Sequence, residues 1–290
     1  MTDNLHSRAT LLGLGAMGRA LARTLIHGGL TTTVWNRTPG KDGELIAAGA
    51  VSADSAEAAV DAADLTIVCL FDYTSVRTTL DPIAGRLRGR SVLNLTSTTP
   101  NEARELARWA AEHGIAYLDG GIMATPDMIA RTGSVLLYSG SREVYDTERT
   151  TLELFGSAEY LGTDAGMASL HDFALLAGMY AMFAGFFHGA AMMRTAGVPA
   201  TDFVASAVSW LTAMTQALPR HAQIIDGGDY SQGVQTLEFN KAALHAIERA
   251  SGDAGIRTDI IATIRALVDR QIAEGHVGEA FQRIIEGLVA

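Results

Sequence analysis

The sequence predicts an α/β protein with an N-terminal Rossmann-type, doubly wound sheet, a long interdomain helix and an all-helical C-terminal domain. Two observations predict the first domain. Short apolar segments alternate with helical ones, and a glycine-rich turn follows the first apolar segment. The third observation is a very long apolar helical segment followed by a helical tail. We predict domains over 1–162 and 197–290, joined by an interdomain helix over 163–196.

Composition limits the classes of protein to consider. A chain of 290 residues with 48% hydrophobic and 19% charged residues is an ordinary globular protein of about two domains. The net charge of -10 argues against nucleic acid or an anionic membrane as a partner. Cys69 is the only cysteine, the eight histidines lack metal-ligand spacing, and residues 1–8 lack the apolar core of a signal peptide. We expect a cytoplasmic protein without a metal.

The first predicted strand, Ala9–Leu14, leads into the glycine-rich turn GLGAMG at 13–18 and then a helical segment. In this pattern Gly13 permits the tight turn, Gly15 lets a pyrophosphate approach the backbone, and Gly18 lets the helix pack on the strand. The helix N-terminus then faces the phosphates. The predicted cofactor contacts in this turn are Gly13, Gly15, Ala16, Met17 and Gly18.

The second predicted strand, Thr31–Trp35, ends in NRTPGK at 36–41. NAD-binding folds usually place an acidic residue here to hold the ribose 2′-hydroxyl, whereas basic residues accommodate a 2′-phosphate. The segment has no acid but offers Arg37 and Lys41, with Thr38 as a hydroxyl donor, so we predict NADPH. The alternative is that both cations are ordinary surface charges. The predicted contacts are Asn36, Arg37, Thr38 and Lys41.

The alternation continues through the first domain. Further strands are predicted over Leu65–Leu70, Ser91–Leu95, Ile115–Asp119, Ser134–Ser139 and Ala158–Leu161. Helices are predicted over Asp54–Ala63, Asn101–His113 and Glu143–Phe155. Ligands bind at the carboxyl ends of parallel strands. The loops predicted to line the site are therefore 70–74, 94–100 and 120–126.

Four residues at these strand ends are candidates for the site. Cys69 and Leu70 are predicted cofactor contacts. Asn94 could orient the nicotinamide, its ribose or a substrate nitrogen, but it could equally satisfy a turn. Met123 belongs to a methionine-rich set that suits an adaptable apolar substrate pocket, although methionine at helical spacing is more often core.

The interdomain helix is predicted over Thr163–Ala196, with Thr163 or Asp164 able to cap it and Gly197 to end it. It is apolar nearly all round and long enough to cross a bilayer. Because flanking Lys/Arg asymmetry is missing and an α/β sequence precedes it, we expect instead a spine covered partly by a second subunit. Asp172 is the exception to its apolar character, and its apolar neighbours should raise its pKa.

The tail is predicted to form helices over Thr201–Leu218, Leu237–Ala250, Thr258–Ala273 and Glu279–Leu288. These short helices bury little surface alone, so they need the spine and a second copy of it. The intervening loop 226–230 could form part of a pocket rim.

Together the motifs resemble those of the imine reductases and the closely similar reductive aminases, within the β-hydroxyacid dehydrogenase superfamily. They are GLGAMG, NRTPGK, NLTSTTP, DGGIMATP and HDFALLAGMY. The resemblance covers nearly the whole chain. It implies NADPH in the N-terminal domain and a C-terminal domain like that of 6-phosphogluconate dehydrogenase. It also implies a homodimer interlocked through the long helix, with each active site shared between chains.

The resemblance also implies roles for single residues. Asp172 matches the usual acidic residue of the family, Tyr180 matches a tyrosine eight residues later, and Asn94 matches the asparagine of reductive aminases. Some members carry Tyr at the acid position, so the aspartate assigns a subgroup. Trp210 and Met214 match pocket-lining residues with looser alignment. The implied catalytic residues are therefore Asp172, Tyr180 and Asn94, and the implied substrate contacts include Trp210 and Met214.

The predicted reaction is hydride transfer from NADPH to the C=N carbon of a cyclic imine or iminium ion, giving an amine, with reductive amination of a ketone as a further activity. Asp172 would stabilise an iminium as a carboxylate or protonate an imine as an acid. The competing function is a β-hydroxyacid dehydrogenase. Members of that family carry a lysine on the long helix, whereas the two lysines of this chain, Lys41 and Lys241, both lie outside it. A non-catalytic NADPH-binding protein is the third alternative.

For Asp172, a buried ion pair with Arg194 or Arg220 is the structural alternative. His171 could act as the general acid instead. Successive helix residues point about 100° apart, so we expect one of the two side chains to face the cofactor.

Overall fold

A computed structural model describes residues 8–233 and 235–289. Its strands are β1 (Arg8–Leu12), β2 (Thr31–Trp35), β3 (Val51–Ser52), β4 (Leu65–Val68), β5 (Ser91–Asn94), β6 (Ala116–Met123), β7 (Val135–Gly140) and β8 (Ser157–Tyr160). The helices before the tail are α1 (Ala16–His27), α2 (Gly43–Ala47), α3 (Ala56–Val60), α4 (Tyr73–Leu80), α5 (Ala84–Leu87), α6 (Pro100–Glu112), α7 (Arg142–Glu153) and α8 (Gly166–Thr195). The tail forms α9 (Ala200–Thr215), α10 (Leu218–Gly227), α11 (Leu237–Asp253) and α12 (Asp259–Ala273). Short 3₁₀ segments cover Asp81–Ile83, Tyr230–Gln232 and Phe281–Gly287.

The strands form one sheet in the order β3-β2-β1-β4-β5-β6-β7-β8. Every neighbouring pair is parallel except β6 with β7. The strand order reverses between β1 and β4, which is the place where a doubly wound sheet opens a crevice for a ligand. The predicted Rossmann-type fold is therefore confirmed, and the glycine-rich turn after β1 lies at this crevice.

Apolar side chains fill both faces of the sheet. Leu11 packs into one buried cluster and its neighbour Leu12 into the other. Helices cover both faces of such a sheet, which is why its strands read as continuous apolar runs rather than as alternating ones.

The structure corrects several predicted boundaries. Residues 120–123, predicted as a loop, continue β6, because the antiparallel pairing with β7 extends to Met123 opposite Val135. The predicted helix Thr201–Leu218 is shorter in the structure, since α9 ends at Thr215 and α10 begins at Leu218. Pro219 lies in the first turn of α10, where its missing N–H costs no hydrogen bond. The predicted loop 226–230 is therefore partly the end of α10. The last predicted helix, Glu279–Leu288, is a 3₁₀ segment.

The described residues form two compact units, which divide between Ala177 and Gly178. The first contains the whole sheet and the beginning of α8, and the second contains the rest of α8 and the helical tail. The single predicted long helix is confirmed as α8, which begins at Gly166. The predicted domain boundaries at 162 and 196 stay a prediction. By length and composition alone, α8 is also long and apolar enough to cross a membrane.

Candidate active site

The glycine-rich turn brings the backbone of β1 close to β4 and α1. Gly13 has a φ of +103°, and a Cβ there would lie 2.1 Å from the carbonyl oxygen of Cys69. A Cβ on Gly18 would lie 1.9 Å from the carbonyl oxygen of Gly13. Gly15, in contrast, faces open space and caps α1 without a side-chain hydrogen bond. The N-terminus of α1 is thus open to an anion, as its dipole favours.

Asn36 joins the two cofactor-binding loops. Its Oδ1 accepts a hydrogen bond of 2.9 Å from the backbone N–H of Leu14, and its Nδ2 donates one of 2.8 Å to the carbonyl oxygen of Thr38. The side chain predicted to contact the cofactor therefore holds the loop after β1 against the loop after β2.

Two adjoining cavities surround these loops. The first, of about 340 Å³, is lined by all but one of the predicted cofactor contacts, with Asn94 the exception. The predicted contacts in its lining are Gly13, Gly15, Ala16, Met17, Gly18, Asn36, Arg37, Thr38, Lys41, Cys69 and Leu70. Arg37 and Lys41 are exposed there, and neither forms an ion pair with another described residue. Glycine backbone, an open helix N-terminus and two cations without an ion-pair partner among the described residues fit a dinucleotide carrying a 2′-phosphate.

The second cavity, of about 600 Å³, shares Asn36, Arg37, Thr38 and Lys41 with the first and extends past β2. Trp35, Ala53 and Thr79 line it, and sequence reasoning missed all three. A tryptophan at the end of the second strand was the available signal, since a half-buried aromatic ring there can pack against a nucleotide base.

Burial determines what Cys69 can contribute. It raises the pKa of the Cys69 thiol to about 12, so the thiol stays neutral. The neighbouring Leu70 N–H donates a hydrogen bond of 2.9 Å to Thr96 Oγ1, which ties the loop after β4 to the loop after β5.

A buried carboxylate lies where β5, β6 and α8 meet. Asp119 Oδ1 accepts hydrogen bonds from the Tyr117 hydroxyl (2.7 Å) and Asn94 Nδ2 (3.0 Å), and Oδ2 accepts one from the Ser169 hydroxyl (3.0 Å). Burial, with a smaller contribution from the charge of Asp172, raises the pKa of Asp119 to about 7 against the effect of these bonds. In the sequence, Asp119 is only the last residue of the predicted strand Ile115–Asp119. An acid within a buried strand was the missed signal.

Asn94 is fully buried in this network. Its Nδ2 donates to Asp119 and, at 3.4 Å, to the carbonyl oxygen of Thr96, while its Oδ1 accepts from the Thr96 N–H at 3.2 Å. Its amide is thus fixed in orientation by protein groups. The predicted contact of Asn94 with cofactor or substrate stays a prediction.

Asp172 is only 5% exposed, although it lies on an otherwise apolar helix. Among the described residues, none donates a hydrogen bond to its carboxylate and none forms an ion pair with it, including Arg194 and Arg220. Burial raises the pKa of Asp172 to about 6. The neighbouring His171 is exposed. Of these two candidate acids, the aspartate is the one in a buried, pKa-shifting environment.

The first turns of α8 are anchored to the sheet just before Asp172. The Ser139 hydroxyl on β7 donates to the carbonyl oxygen of Ala165 (2.8 Å) and accepts from the N–H of Ala168 (2.9 Å). Asp164 accepts from the N–H of Gly166 at 3.0 Å and receives two hydrogen bonds from Arg104, of 2.8 and 2.7 Å.

The remaining predicted site residues divide between the two units. Met123 is half-buried at the end of β6 in the first unit. Tyr180, Trp210 and Met214 lie in the second unit, with exposed fractions of 65%, 64% and 43%. Trp210 lines a shallow cavity on α9 together with Ser206.

Comparisons with known proteins match this architecture over its whole length. Residues 8–163 match the NAD binding domain of 6-phosphogluconate dehydrogenase, and residues 164–290 match the C-terminal domain of NADPH-dependent reductive aminase-like proteins. An NADPH-dependent reductive aminase of Aspergillus oryzae is 41% identical over 280 residues, which is 95% of each chain. The chain belongs to the imine reductase and reductive aminase family. The resemblance of its motifs to this family is thereby confirmed.

Solved structures of family members agree with this chain in fold. The reductive aminase from Aspergillus terreus, in complex with NADPH4, cyclohexanone and allyl amine, is 42% identical with a TM-score of 0.93, covering 98% of this chain and 100% of that one. The Streptomyces aurantiacus imine reductase is 29% identical with a TM-score of 0.94 over the same shares.

The raised pKa of Asp172 makes a prediction about stability. Because its folded pKa of about 6 exceeds the ordinary 3.8, the charged form opposes folding. The stability contributed by the neutral acid is complete below about pH 4 and is lost as the pH rises through about 6. Asp172→Asn should therefore stabilise the protein by up to about 3 kcal/mol at pH 8 and by much less at pH 4. Urea unfolding at both pH values measures this.

Asp259→Asn is the control, because Arg257 lowers the pKa of that exposed carboxyl. It should give no gain at pH 8. A gain for Asp172→Asn that is the same at both pH values would contradict the assigned shift.

Proposed function

We propose that this chain is an NADPH-dependent imine reductase that reduces the C=N bond of cyclic imines or iminium ions to amines. The observation that carries the proposal is the Asp172 carboxylate, which is buried and has no hydrogen-bond or ion-pair partner among the described residues. A buried charge is costly unless it is paired. A substrate nitrogen, cationic or able to accept a proton, is the partner this carboxylate lacks.

The cofactor site supports NADPH as the reductant. Arg37 and Lys41 would hold the 2′-phosphate, and the N-terminus of α1 beside Gly15 would hold the pyrophosphate. NADPH supplies the hydride that the imine carbon receives. The protein has to bind the dinucleotide and orient it at the crevice between β1 and β4. It also has to supply the proton of the substrate nitrogen or stabilise the nitrogen that already carries it.

Asp172 can serve both forms of the substrate. With a pKa of about 6, the group is mostly ionised at neutral pH but is protonated at little cost. As a carboxylate it stabilises an iminium cation. As an acid it gives its proton to the nitrogen of a neutral imine, which gains an N–H bond as the carbon gains its C–H bond.

The competing hydroxyacid dehydrogenase function is less well supported. That reaction uses a lysine on the long helix, and α8 has none. Lys241 forms an ion pair with Asp269 at 2.7 Å on α11 and α12, and Lys41 lines the cofactor cavity.

We also infer that α8 is covered by a second copy of the chain, with each active site shared between the two. Only 6% of its most apolar window is buried within one chain, and large apolar side chains such as Leu175 (56%) and Phe187 (63%) are exposed. A surface of this kind needs protein or lipid as its partner. A net charge of -10 disfavours an anionic membrane.

The two cations predict cofactor selectivity. Lys41→Ala and Arg37→Ala should each weaken NADPH binding about tenfold or more, because each removes a charged partner of the 2′-phosphate, and should leave NADH binding unchanged. Titration of each dinucleotide by fluorescence measures this. Lys241→Ala removes the only other lysine and is the matched control. Equal losses for NADPH and NADH would mean that the cations do not read the 2′-phosphate.

The reaction predicts a substrate preference. NADPH should be consumed with 2-methyl-1-pyrroline, and the rate should fall at least about a hundredfold in Asp172→Asn with NADPH affinity unchanged. Cyclohexanone with allyl amine, the pair bound in the Aspergillus terreus enzyme, tests reductive amination in the same assay. Oxidation of 3-hydroxyisobutyrate with NADP⁺ but no imine turnover would favour the dehydrogenase. Tight NADPH binding without any turnover would favour a non-catalytic protein.

The dimer predicts a mass in solution. Without detergent, light scattering should give twice the chain mass of 30.6 kDa. Phe187→Asp should shift the protein towards the single-chain mass, whereas Ile46→Asp, at an exposed apolar position on α2, should not. A monomeric wild type, or one that needs detergent to stay in solution, would contradict this.

A further inference from the structure

We propose that Gly121 and the hydrogen bond between Asp119 and Ser169 are positioning elements that set the place of the Asp172 carboxylate. The inference rests on the role proposed for Asp172 and extends it to residues of the supporting strand. Asp119, Gly121 and Ser169 do not touch the substrate nitrogen themselves. They act through the first turns of α8.

The two elements match each other in spacing. Asp119 and Gly121 are two residues apart on β6, so they point to the same face of the sheet. Ser169 and Asp172 are three residues apart on α8, so they lie on the same face of the helix. Asp119 meets Ser169 through a hydrogen bond of 3.0 Å, and Gly121 meets Asp172 by direct backbone approach. Two neighbouring positions on one face of β6 therefore contact two neighbouring positions on one face of α8.

Gly121 fixes how closely α8 approaches the strand at the acid. A Cβ at this position would lie 2.9 Å from the Cβ of Asp172, 3.4 Å from its Cγ and 3.3 Å from the carbonyl oxygen of Ala168. A helix backbone and the stem of a short side chain have no flexible end that could move aside. Any larger residue must therefore displace Asp172.

Gly120 offers a contrast on the same strand. A Cβ there would meet Leu95 Cδ2 at 2.7 Å and the carbonyl oxygen of Leu137 at 3.1 Å, on the face of the sheet away from α8. Gly120→Ala would disturb the core under β6 without pressing on the acid.

Asp119 fixes the helix along the strand. Both of its oxygens accept hydrogen bonds, from Tyr117 and Asn94 on the strands and from Ser169 on the helix. Because the strand donors hold Oδ1, the carboxylate cannot follow the helix if α8 shifts. Ser169 is therefore held in one place, and Asp172, one helical turn later, is held with it.

The test measures kcat and KM for 2-methyl-1-pyrroline in Gly121→Ala and Ser169→Ala, each in the wild-type and in the Asp172→Asn background. In the wild-type background kcat should fall about 10- to 100-fold for Gly121→Ala and by less for Ser169→Ala, since a misplaced catalytic group costs rate steeply. NADPH affinity should not change. In the Asp172→Asn background neither substitution should lower kcat further, because the group they position is already lost.

Gly120→Ala is the matched control, with wild-type kcat expected. Losses of kcat that are as large in the Asp172→Asn background as in the wild type would overturn the proposal, as would equal losses in Gly120→Ala and Gly121→Ala.

A stability cycle separates this inference from the proposed function. If the wild type reduces no imine, the proposed function fails, and the contact between Gly121 and Asp172 is still measurable by unfolding in urea. Gly121→Ala should destabilise the wild type more than it destabilises Asp172→Gly, which lacks the Cβ and Cγ that the new methyl group meets. Equal destabilisation in both backgrounds would overturn the positioning claim.

Discussion

The docking of the first turns of α8 onto β6 and β7 is the constraint on which the rest of the proposed site depends. Within nine residues, Asp164, Ala168, Ser169 and Asp172 each meet a different group of the first unit. Asp164 forms an exposed double hydrogen bond with Arg104, Ala168 forms one bond with the buried Ser139, and Ser169 forms one with the buried carboxylate of Asp119. Asp172 lies against Gly121, which has no side chain to intervene. Buried polar contacts of this kind specify one arrangement, because a shifted helix would leave buried polar groups unsatisfied.

The chemistry follows from what this docking buries. Two carboxylates, Asp119 and Asp172, lie close enough for the charge of one to raise the pKa of the other. Asp119 receives three hydrogen bonds and is part of the framework. Asp172 receives none from the described residues, so the desolvation of its charge is uncompensated until a ligand arrives. Hydrogen bonding therefore distinguishes the two acids: Asp119 is a structural group, and Asp172 is the group available to a ligand.

Much of the fold could be predicted because it is encoded locally. The glycine-rich turn, the alternation of strands and helices, and the uninterrupted apolar character of α8 each report on one element. Residues 120–123 could not be assigned to a strand, since their pairing depends on β7, whose antiparallel direction no local pattern reveals. The last segment, Phe281–Gly287, has contacts that its own periodicity does not show, since Arg270 on α12 donates a hydrogen bond of 2.7 Å to the carbonyl oxygen of Gly287.

The candidate site was predictable to a similar extent. The cofactor loops and Asp172 stand out by motif or by being an exception in an apolar helix. For Asp119 the sequence offers only the signal of an acid in an apolar strand, and its three donors come together from β5, β6 and α8 only in the folded chain. Gly121 has no local signal, because its contact with Asp172 joins distant parts of the sequence. Asn36 was predicted to contact the cofactor because it follows the second strand. In the structure its side chain hydrogen-bonds Leu14 and Thr38 and so joins two loops.

The most direct measurement of the central claim is a crystal structure of the protein with NADPH and a cyclic amine. We expect the Asp172 carboxylate to lie within about 3.2 Å of the amine nitrogen, with the hydrogen bond between Asp119 and Ser169 intact. An amine nitrogen held by another group, such as His171, with Asp172 turned away from it, would contradict the role assigned to Asp172.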